Sequence, residues 1–168
     1  MKPQSNEFAA YYQKYIDAVE HDDALEALRQ QTTDTIRFLQ TISEEKSKHA
    51  YADGKWSIKE VLGHVLDTER VMTYRAMSIA RGEKKSLPGF DQDDYVRSGQ
   101  FNKRTWASLE KEYRLLRPAT VELFSTFTEE AKNNMGVANT YDISVRALMF
   151  IIAGHELHHI KVIKEKYL

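Results

Sequence analysis

Apolar residues recur at helical spacing along almost every long segment of the chain, and no segment shows a sustained alternation of apolar and polar positions. The pattern predicts a short helix over residues 6–19 and four long helices, which run from Asp22 to Ile42, from Ser57 to Arg81, from Thr105 to Phe127 and from about Asp142 or Ser144 to Tyr167. Four long helices of similar length indicate an all-α protein built as a four-helix bundle with long crossover connections.

The sequence also marks several helix ends. Ser57 and Glu60 have the spacing of a capping box, in which the two side chains bind each other's free backbone amides, and Gly82 supplies a stop at the far end of that helix. Pro118 lies inside the third long helix, where it removes one amide and predicts a kink. The stretch from Glu83 to Arg104 shows no clear period, and a loop of that length is either a functional cover or an unrecognised element.

Composition is typical of a globular protein, and it argues against several classes of partner and of site chemistry. With 42% hydrophobic and 29% charged residues, residues 1–168 are expected to form one domain. The 24 basic and 25 acidic residues leave a formal charge of −1, so no nucleic acid and no membrane surface is predicted as a partner. The absence of cysteine excludes disulfides, thiolate ligands and a cysteine nucleophile. The start lacks a secretion signal and no apolar run spans a bilayer, so we expect a cytoplasmic protein. The apolar faces of the helices could also pack against a second copy of the chain, so a homodimer is a possible assembly.

The segment from His155 to His159 carries the most specific chemistry in the sequence. Its letters match H-E-x-x-H, the zinc-protease signature, in which two histidines one turn apart hold the metal and the glutamate acts on a bound water. Such a site needs a third ligand downstream, whereas only nine residues follow His159 and they continue the same helix. Proteases of this kind also bind an extended substrate along a sheet edge, and the pattern predicts no strand. The protease interpretation is therefore disfavoured.

The two histidines nevertheless lie where a pair of ligands is expected. They belong to an apolar seam whose members follow at steps of four, three, four and three: Leu148, Ile152, His155, His159 and Val162. Two imidazoles about 6 Å apart along a helix can converge on one ion, and a metal removes the penalty of about 1–3 kcal/mol for each unsatisfied buried polar group. His64 lies at the border of the apolar stripe of its own helix, so it can turn inward without being required to. The alternative is that all three are hydrogen-bonded core or surface histidines.

Several blocks of the sequence match those of a known superfamily. They are residues 55–64 (KWSIKEVLGH), 67–70 (DTER), 74–75 (YR), 87–91 (LPGFD), 144–148 (SVRAL) and 153–159 (AGHELHH). Together they resemble the DinB/YfiT-like superfamily, whose members are four-helix-bundle metal-dependent enzymes unrelated to the DNA polymerase that shares the first name. The resemblance covers roughly residues 51–168.

The resemblance implies a divalent metal ion, zinc, nickel or similar, held by one histidine of the second bundle helix and an H-x-x-x-H pair of the fourth. These positions map onto His64, His155 and His159. The superfamily includes thiol S-transferases that use bacillithiol, isomerases that use mycothiol and many members described only as metal-dependent hydrolases. It therefore implies a small-molecule substrate and favours a transferase that activates a low-molecular-weight thiol, which must be a cosubstrate because the chain has no cysteine. A metal-dependent hydrolase of amides or esters and a non-catalytic metal-binding stress-response module are the alternatives.

Two further residues are candidates for the catalytic site. Glu156 adjoins a predicted ligand and is a candidate base, although a glutamate beside a histidine on a helix is also commonly solvated or paired. Arg75 lies three turns along from His64 on nearly the same side of the helix, where it is a candidate for holding an anionic substrate group. An ion pair of Arg75 with Glu69, or with an acidic residue of another helix, is the alternative.

Overall fold

Four long helices dominate the computed structural model, which describes residues 1–168. In chain order the elements are α1 (Gln13–Ala18), α2 (Ala24–Leu39), α3 (Glu44–Ser47), α4 (Ile58–Ala80), α5 (Gln92–Gly99), α6 (Trp106–Ser125), α7 (Glu129–Asn133), β1 (Met135–Ala138), β2 (Tyr141–Ser144) and α8 (Val145–Lys166). Short 3-10 turns lie at Ser5–Glu7, Ala10–Tyr12 and Phe101–Lys103. Helices α2, α4, α6 and α8 form the predicted four-helix bundle, which confirms the fold class.

The chain crosses this bundle diagonally twice. Helix α2 packs on α6 and α8, and α4 packs on the same two helices, so α2 and α4 occupy opposite corners. Residues 40–57 make the first crossing, and residues 126–144 make the second, from α6 to α8. Nearly all residues from 145 to 156 are buried, so α8 contributes most to the core. This connectivity makes α4 and α8 neighbours although α5, α6, α7 and the two strands lie between them in the sequence.

Side-chain caps fix where the two site-bearing helices begin. The Ser57 hydroxyl accepts from the Glu60 amide and the Glu60 carboxylate accepts from the Ser57 amide, so the predicted capping box starts α4. Helix α8 begins in a similar way, because the Ser144 hydroxyl accepts from the Ala147 amide. Helix α6 continues through Pro118 without a break. The caps fix the first turns of α4 and α8, and thereby which residues of each helix face the other.

Two glycines allow other segments to approach α4 and α8 closely, and each directly precedes a histidine of interest. A Cβ atom on Gly63 would lie 2.4 Å from the ring of Phe101, so this aromatic side chain packs directly on the α4 backbone. A Cβ atom on Gly154 would lie 1.9 Å from the carbonyl oxygen of Tyr15, so α1 rests on the α8 backbone. No other residue fits at either position without moving its neighbour.

The structure corrects three expectations from the hydrophobic pattern. The stretch from Glu83 to Arg104 is not a plain loop, because it contains α5, whose first free amides are bound by the Asp91 carboxylate. Strands β1 and β2 form an antiparallel hairpin, so the prediction that the chain has no strand is wrong. The short helix predicted over residues 6–19 starts as 3-10 turns and is α-helical only in α1.

None of the helices combines the length and the apolar character that crossing a membrane requires. The homodimer, the cytoplasmic location and the single domain over residues 1–168 stay predictions.

Candidate metal centre

Three histidines from two neighbouring helices meet inside the bundle. His64 belongs to α4, and His155 and His159 lie one turn apart on α8. One ring nitrogen of each histidine lies within 4.8 Å of the others, and the Nε2 atoms of His64 and His155 are 3.0 Å apart. His64 is only 4% exposed, so its side chain takes the inward orientation that the helical stripe left open.

The spacing and the protonation of these imidazoles suit a divalent metal ion. Bonds of about 2.0–2.1 Å from zinc to imidazole nitrogen bring two ligand nitrogens to roughly 3–3.5 Å from each other, and the two Nε2 atoms are 3.0 Å apart. Burial lowers the pKa of His64 to about 4 and the pKa of His159 to about 3. Burial, assisted by the neighbouring histidines, lowers the pKa of His155 well below its usual range. The three rings are therefore neutral near pH 7, which is the form that binds metals.

Neighbouring side chains pack against the rings of His64 and His155. The Oγ1 atom of Thr68, one turn after His64, lies 3.4 Å from His64 Nδ1. A proton on Nδ1 can therefore be directed to Thr68, which leaves a lone pair on Nε2. The Trp56 ring packs at 4.9 Å from the His64 ring, and the Tyr15 ring packs at 5.4 Å from the His155 ring, both measured between centroids. These aromatic contacts limit the rotation of the imidazoles and exclude water from their outer faces.

His158 is close to the cluster but is not one of its members. Its ring centroid lies 5.1 Å from that of His159 and 5.6 Å from that of Tyr15. Its ring nitrogens do not belong to the group that could share one ion. His158 therefore offers a matched control for substitutions of His155 and His159.

Two clefts reach the cluster from different sides. The first cleft has a volume of about 520 Å³, and both His64 and His155 line it. The second cleft has a volume of about 540 Å³, and His158 and His159 line it. Asp93 of α5 contributes to both clefts, so α5 lies where the two meet. A small molecule in either cleft would contact a different part of the three-histidine cluster.

Arg75 lines the first cleft but does not form the ion pair with Glu69 that the sequence offered as an alternative. Its Nη2 atom donates to the Pro88 carbonyl oxygen at 2.6 Å, and its guanidinium lies 5.8 Å from the centre of the Phe90 ring. Its role in holding an anionic group stays a prediction. The carboxylate of Glu69 instead accepts three hydrogen bonds from the guanidinium of Arg117, at 2.8, 3.0 and 3.2 Å.

Glu156 is buried in a cluster of polar side chains rather than exposed beside the histidines. Its Oε1 atom accepts from the Thr35 hydroxyl at 2.7 Å and from the Tyr113 hydroxyl at 3.2 Å, and its Oε2 atom accepts from Arg117 at 2.5 Å. Burial raises the pKa of Glu156, and the adjacent Arg117 opposes that shift. Both oxygens are engaged, and the proposed role of Glu156 as a base stays a prediction.

The sequence analysis did not find the ion pairs that join Arg117 to Glu69 and Glu156. Arg117 is separated from these partners by 48 and 39 positions, so no local spacing connects them. One signal was available, because Arg117 lies four residues after Tyr113 on the apolar stripe of its helix, where a charged residue needs a buried partner. The acidic partner could not have been identified without the packing of three helices.

Comparison with known proteins gives consistent matches. A family model described as the DinB superfamily matches residues 27–163. A protein of Oceanobacillus iheyensis named "Putative metal-dependent hydrolase" is 28% identical over 147 residues, which cover 85% of this chain and 84% of that protein. The structure of YfiT from Bacillus subtilis, described as "a probable metal-dependent hydrolase with an unusual four-helix bundle topology", superposes with a TM-score of 0.70 at 17% identity, covering 98% of this chain and 90% of that one. A mycothiol-dependent maleylpyruvate isomerase superposes with a TM-score of 0.65 at 12% identity, covering 82% of this chain and 58% of the isomerase. At these identities the two superpositions show a shared fold.

Proposed function

The chain belongs to the DinB superfamily, and on that premise we propose that it is a divalent-metal-dependent transferase that acts on a low-molecular-weight thiol. His64, His155 and His159 would hold the ion. A divalent ion at such a site supplies Lewis acidity, which makes a thiol or water more acidic so that its anion is available near neutral pH. The chain has no cysteine, so the thiol would come from a second small molecule.

The residues around the cluster support this proposal through what each can do. The two buried imidazoles and the partly buried His159 are neutral near pH 7, so they can act as ligands without first losing protons. The hydroxyl of Thr68 orients the His64 ring, and the rings of Trp56 and Tyr15 shield it and His155 from water. A shielded, low-dielectric site strengthens electrostatic effects on a reacting group.

The observation that carries the proposal is the pair of clefts that reach the cluster from two sides. A transferase must hold two organic molecules at once, and the first and second clefts contact different histidines. In the proposed reaction the thiol loses its proton to solvent, the sulfur forms a bond to an electrophilic carbon, and the leaving group departs with the electrons of its own bond. The mycothiol-dependent isomerase of the same fold makes use of a small-molecule thiol, which agrees with this assignment.

A hydrolase of amides or esters is the second candidate. It is supported by the name of the Oceanobacillus protein and by the description of YfiT. Water would then take the place of the thiol as nucleophile, and a second cleft of about 540 Å³ would have no organic occupant.

Turnover assays on zinc-loaded and nickel-loaded protein separate these functions. We expect chlorodinitrobenzene to be consumed only when a small thiol such as bacillithiol or cysteine is present, and nitrophenyl acetate to be hydrolysed no faster than by the free ion. The His155→Ala variant should lose both the reaction and its bound metal, whereas His158→Ala should keep its bound metal. Thiol-independent ester hydrolysis would favour the hydrolase, and a protein that binds no divalent metal would exclude both enzymes.

A further inference from the structure

Arg75 is a buried arginine without an acidic partner. The residue is 3% exposed, its Nε atom has no hydrogen-bond partner, and its Nη1 atom meets only the sulfur of Met72 at 3.5 Å. One strong hydrogen bond remains, from Nη2 to the Pro88 carbonyl oxygen. Removal of a guanidinium from water is unfavourable unless an anion replaces the lost hydration. The charge of Arg75 is therefore uncompensated within the chain.

The unpaired guanidinium lies at the far end of the first cleft from the histidines. His64, Thr68, Met72 and Arg75 follow at steps of four, four and three, so they form one stripe of α4, and all four line the cleft. Their Cα atoms extend over about 16 Å of helix axis. Because long helical side chains lean towards the N-terminus, Arg75 leans towards His64, and the gap that a ligand must bridge is on the order of 10 Å.

The opposite wall of the first cleft adds a second positive charge and hydrogen-bond donors. It is supplied by α1 and the turn before it, through Tyr11, Tyr12, Lys14 and Tyr15. Burial raises the pKa of Tyr11, so its hydroxyl remains a donor. Asp91 and Asp93 are also part of the lining, and the Oδ1 atom of Asp91 accepts from two amides of α5.

We propose that the first cleft binds an elongated substrate through a terminal carboxylate, which pairs with Arg75 while the opposite end of the molecule reaches the histidine cluster. Phe90 lines the same cleft, and the centre of its ring lies 5.8 Å from the guanidinium carbon of Arg75. The assignment of the reacting end depends on the proposed function, whereas carboxylate binding by Arg75 does not. The substrate class is accordingly a small organic acid whose reacting atom lies several bonds from the carboxylate.

Titration calorimetry on zinc-loaded protein tests the proposal with phenylbutyrate and its neutral amide as probes. We expect the acid to bind about tenfold more tightly than the amide, as is typical of a charge-assisted hydrogen bond formed out of water. The Arg75→Gln variant should lose this preference and keep its zinc content. Arg81→Gln is the matched control, because Arg81 is an exposed arginine at the end of the same helix, and it should bind like the wild type.

Two outcomes would overturn the proposal. The first is equal affinity of wild type and Arg75→Gln for the acid. The second is an affinity that is lost in His155→Ala and kept in Arg75→Gln, which would place the carboxylate on the ion. Neither outcome alters the thiol-dependent turnover that tests the proposed function, and a protein without turnover can still show the Arg75-dependent preference.

A second variant guards against failure of Arg75→Gln to fold. Arg75→Lys keeps the charge and most of the apolar stem but lacks the planar fork that binds two carboxylate oxygens. We expect a severalfold weaker affinity for phenylbutyrate with unchanged affinity for the amide. Wild-type affinity for both probes would contradict the proposal.

Discussion

The bundle contains two buried arginines, of which one is paired with carboxylates and the other is not. Arg117 of α6 is 0% exposed and donates to the carboxylates of Glu69 and Glu156. Arg75 of α4 is 3% exposed and has no carboxylate partner. The paired arginine lies in closed core, whereas the unpaired one borders a cleft of about 520 Å³. The difference indicates that the first arginine serves the fold and that the second is available to a ligand.

The paired cluster also joins all four helices of the bundle. Thr35 belongs to α2, Glu69 to α4, Arg117 to α6 and Glu156 to α8. Glu156 directly follows His155 in the sequence, so the Arg117 cluster holds α8 in place next to the predicted ligands. The three histidines, in contrast, come from α4 and α8 alone and are open to two clefts. The Arg117 cluster therefore stabilises the packing of the four helices, whereas the histidine cluster is accessible to small molecules.

The largest effect is expected from Arg117→Met. The substitution leaves Glu69 and Glu156 buried without their cation, and breaking a buried pair in this way lowers the free energy of unfolding by about 3–5 kcal/mol. Arg75→Met should change it by less than about 1 kcal/mol, because no charged partner is left behind and the exposed Pro88 carbonyl can bond to water instead. Urea denaturation of metal-free protein at pH 7 measures both. Equal losses for the two variants would contradict the distinction between the arginines.

Acid should destabilise metal-free protein through the histidine cluster. The pKa values of His64 and His159 are about 4 and about 3 in the folded chain, against 6.5 when unfolded, so the unfolded chain takes up protons first as the pH falls. The contribution of these two rings to the free energy of unfolding is fully present above pH 6.5. It is lost as the pH falls from 6.5 through the folded pKa values of about 4 and about 3. The two rings together predict a loss on the order of 3 kcal/mol by about pH 5.5.

Urea denaturation across this pH range measures that loss, and the double variant His64→Gln, His159→Gln serves as its comparison. The variant lacks both titrating rings, so its free energy of unfolding should fall less steeply with acid. Parallel curves for the two proteins would show that other groups cause the loss.

Zinc should stabilise the wild type and not His155→Ala. At a free zinc concentration one hundred times the dissociation constant, a ligand that binds only the folded state contributes about 2.7 kcal/mol. The melting temperature should therefore rise with zinc in the wild type and in His158→Ala, and stay constant in His155→Ala. A rise in all three would place the ion elsewhere.

The smallest effect is expected from Glu156→Gln. The amide can still accept from Arg117 and bond to Thr35, and Glu69 still balances the arginine charge. The free energy of unfolding should change by less than about 1 kcal/mol, with zinc binding retained. Turnover per bound zinc is expected to stay within about threefold of the wild type; a loss of about 100-fold or more would show that Glu156 is a catalytic base.

The elements that the sequence predicted are those with a long hydrophobic period. The four bundle helices extend over many turns, and their ends agree with the prediction to within a few residues because caps such as Ser57 and Ser144 are visible in the sequence. Helix α5 was missed because its eight residues are mostly polar. The hairpin was missed because Asn139 and Thr140, with φ of 49° and 70°, replace the usual glycine-containing turn.

The candidate site was only partly accessible from the sequence. The seam of α8 identified His155 and His159 as a pair, since their spacing alone places both on the core face. The position of His64 on its helical wheel did not decide its orientation, and only the resemblance to a family selected it. The unpaired state of Arg75 could not be predicted at all, because it depends on Glu69 pairing with Arg117 across two helices.

The first cleft is bounded by two segments that differ in their relation to the superfamily. The match to the family model begins at residue 27, so residues 11–15, which form one wall, lie outside it, whereas the α4 stripe from His64 to Arg75 lies inside. The wall rests on α8 through the backbone of Tyr15 at Gly154 and through the Tyr15 ring, which packs against His155. If the first cleft binds the proposed organic acid, substitutions in this wall would change which acid fits while leaving the three histidines in place.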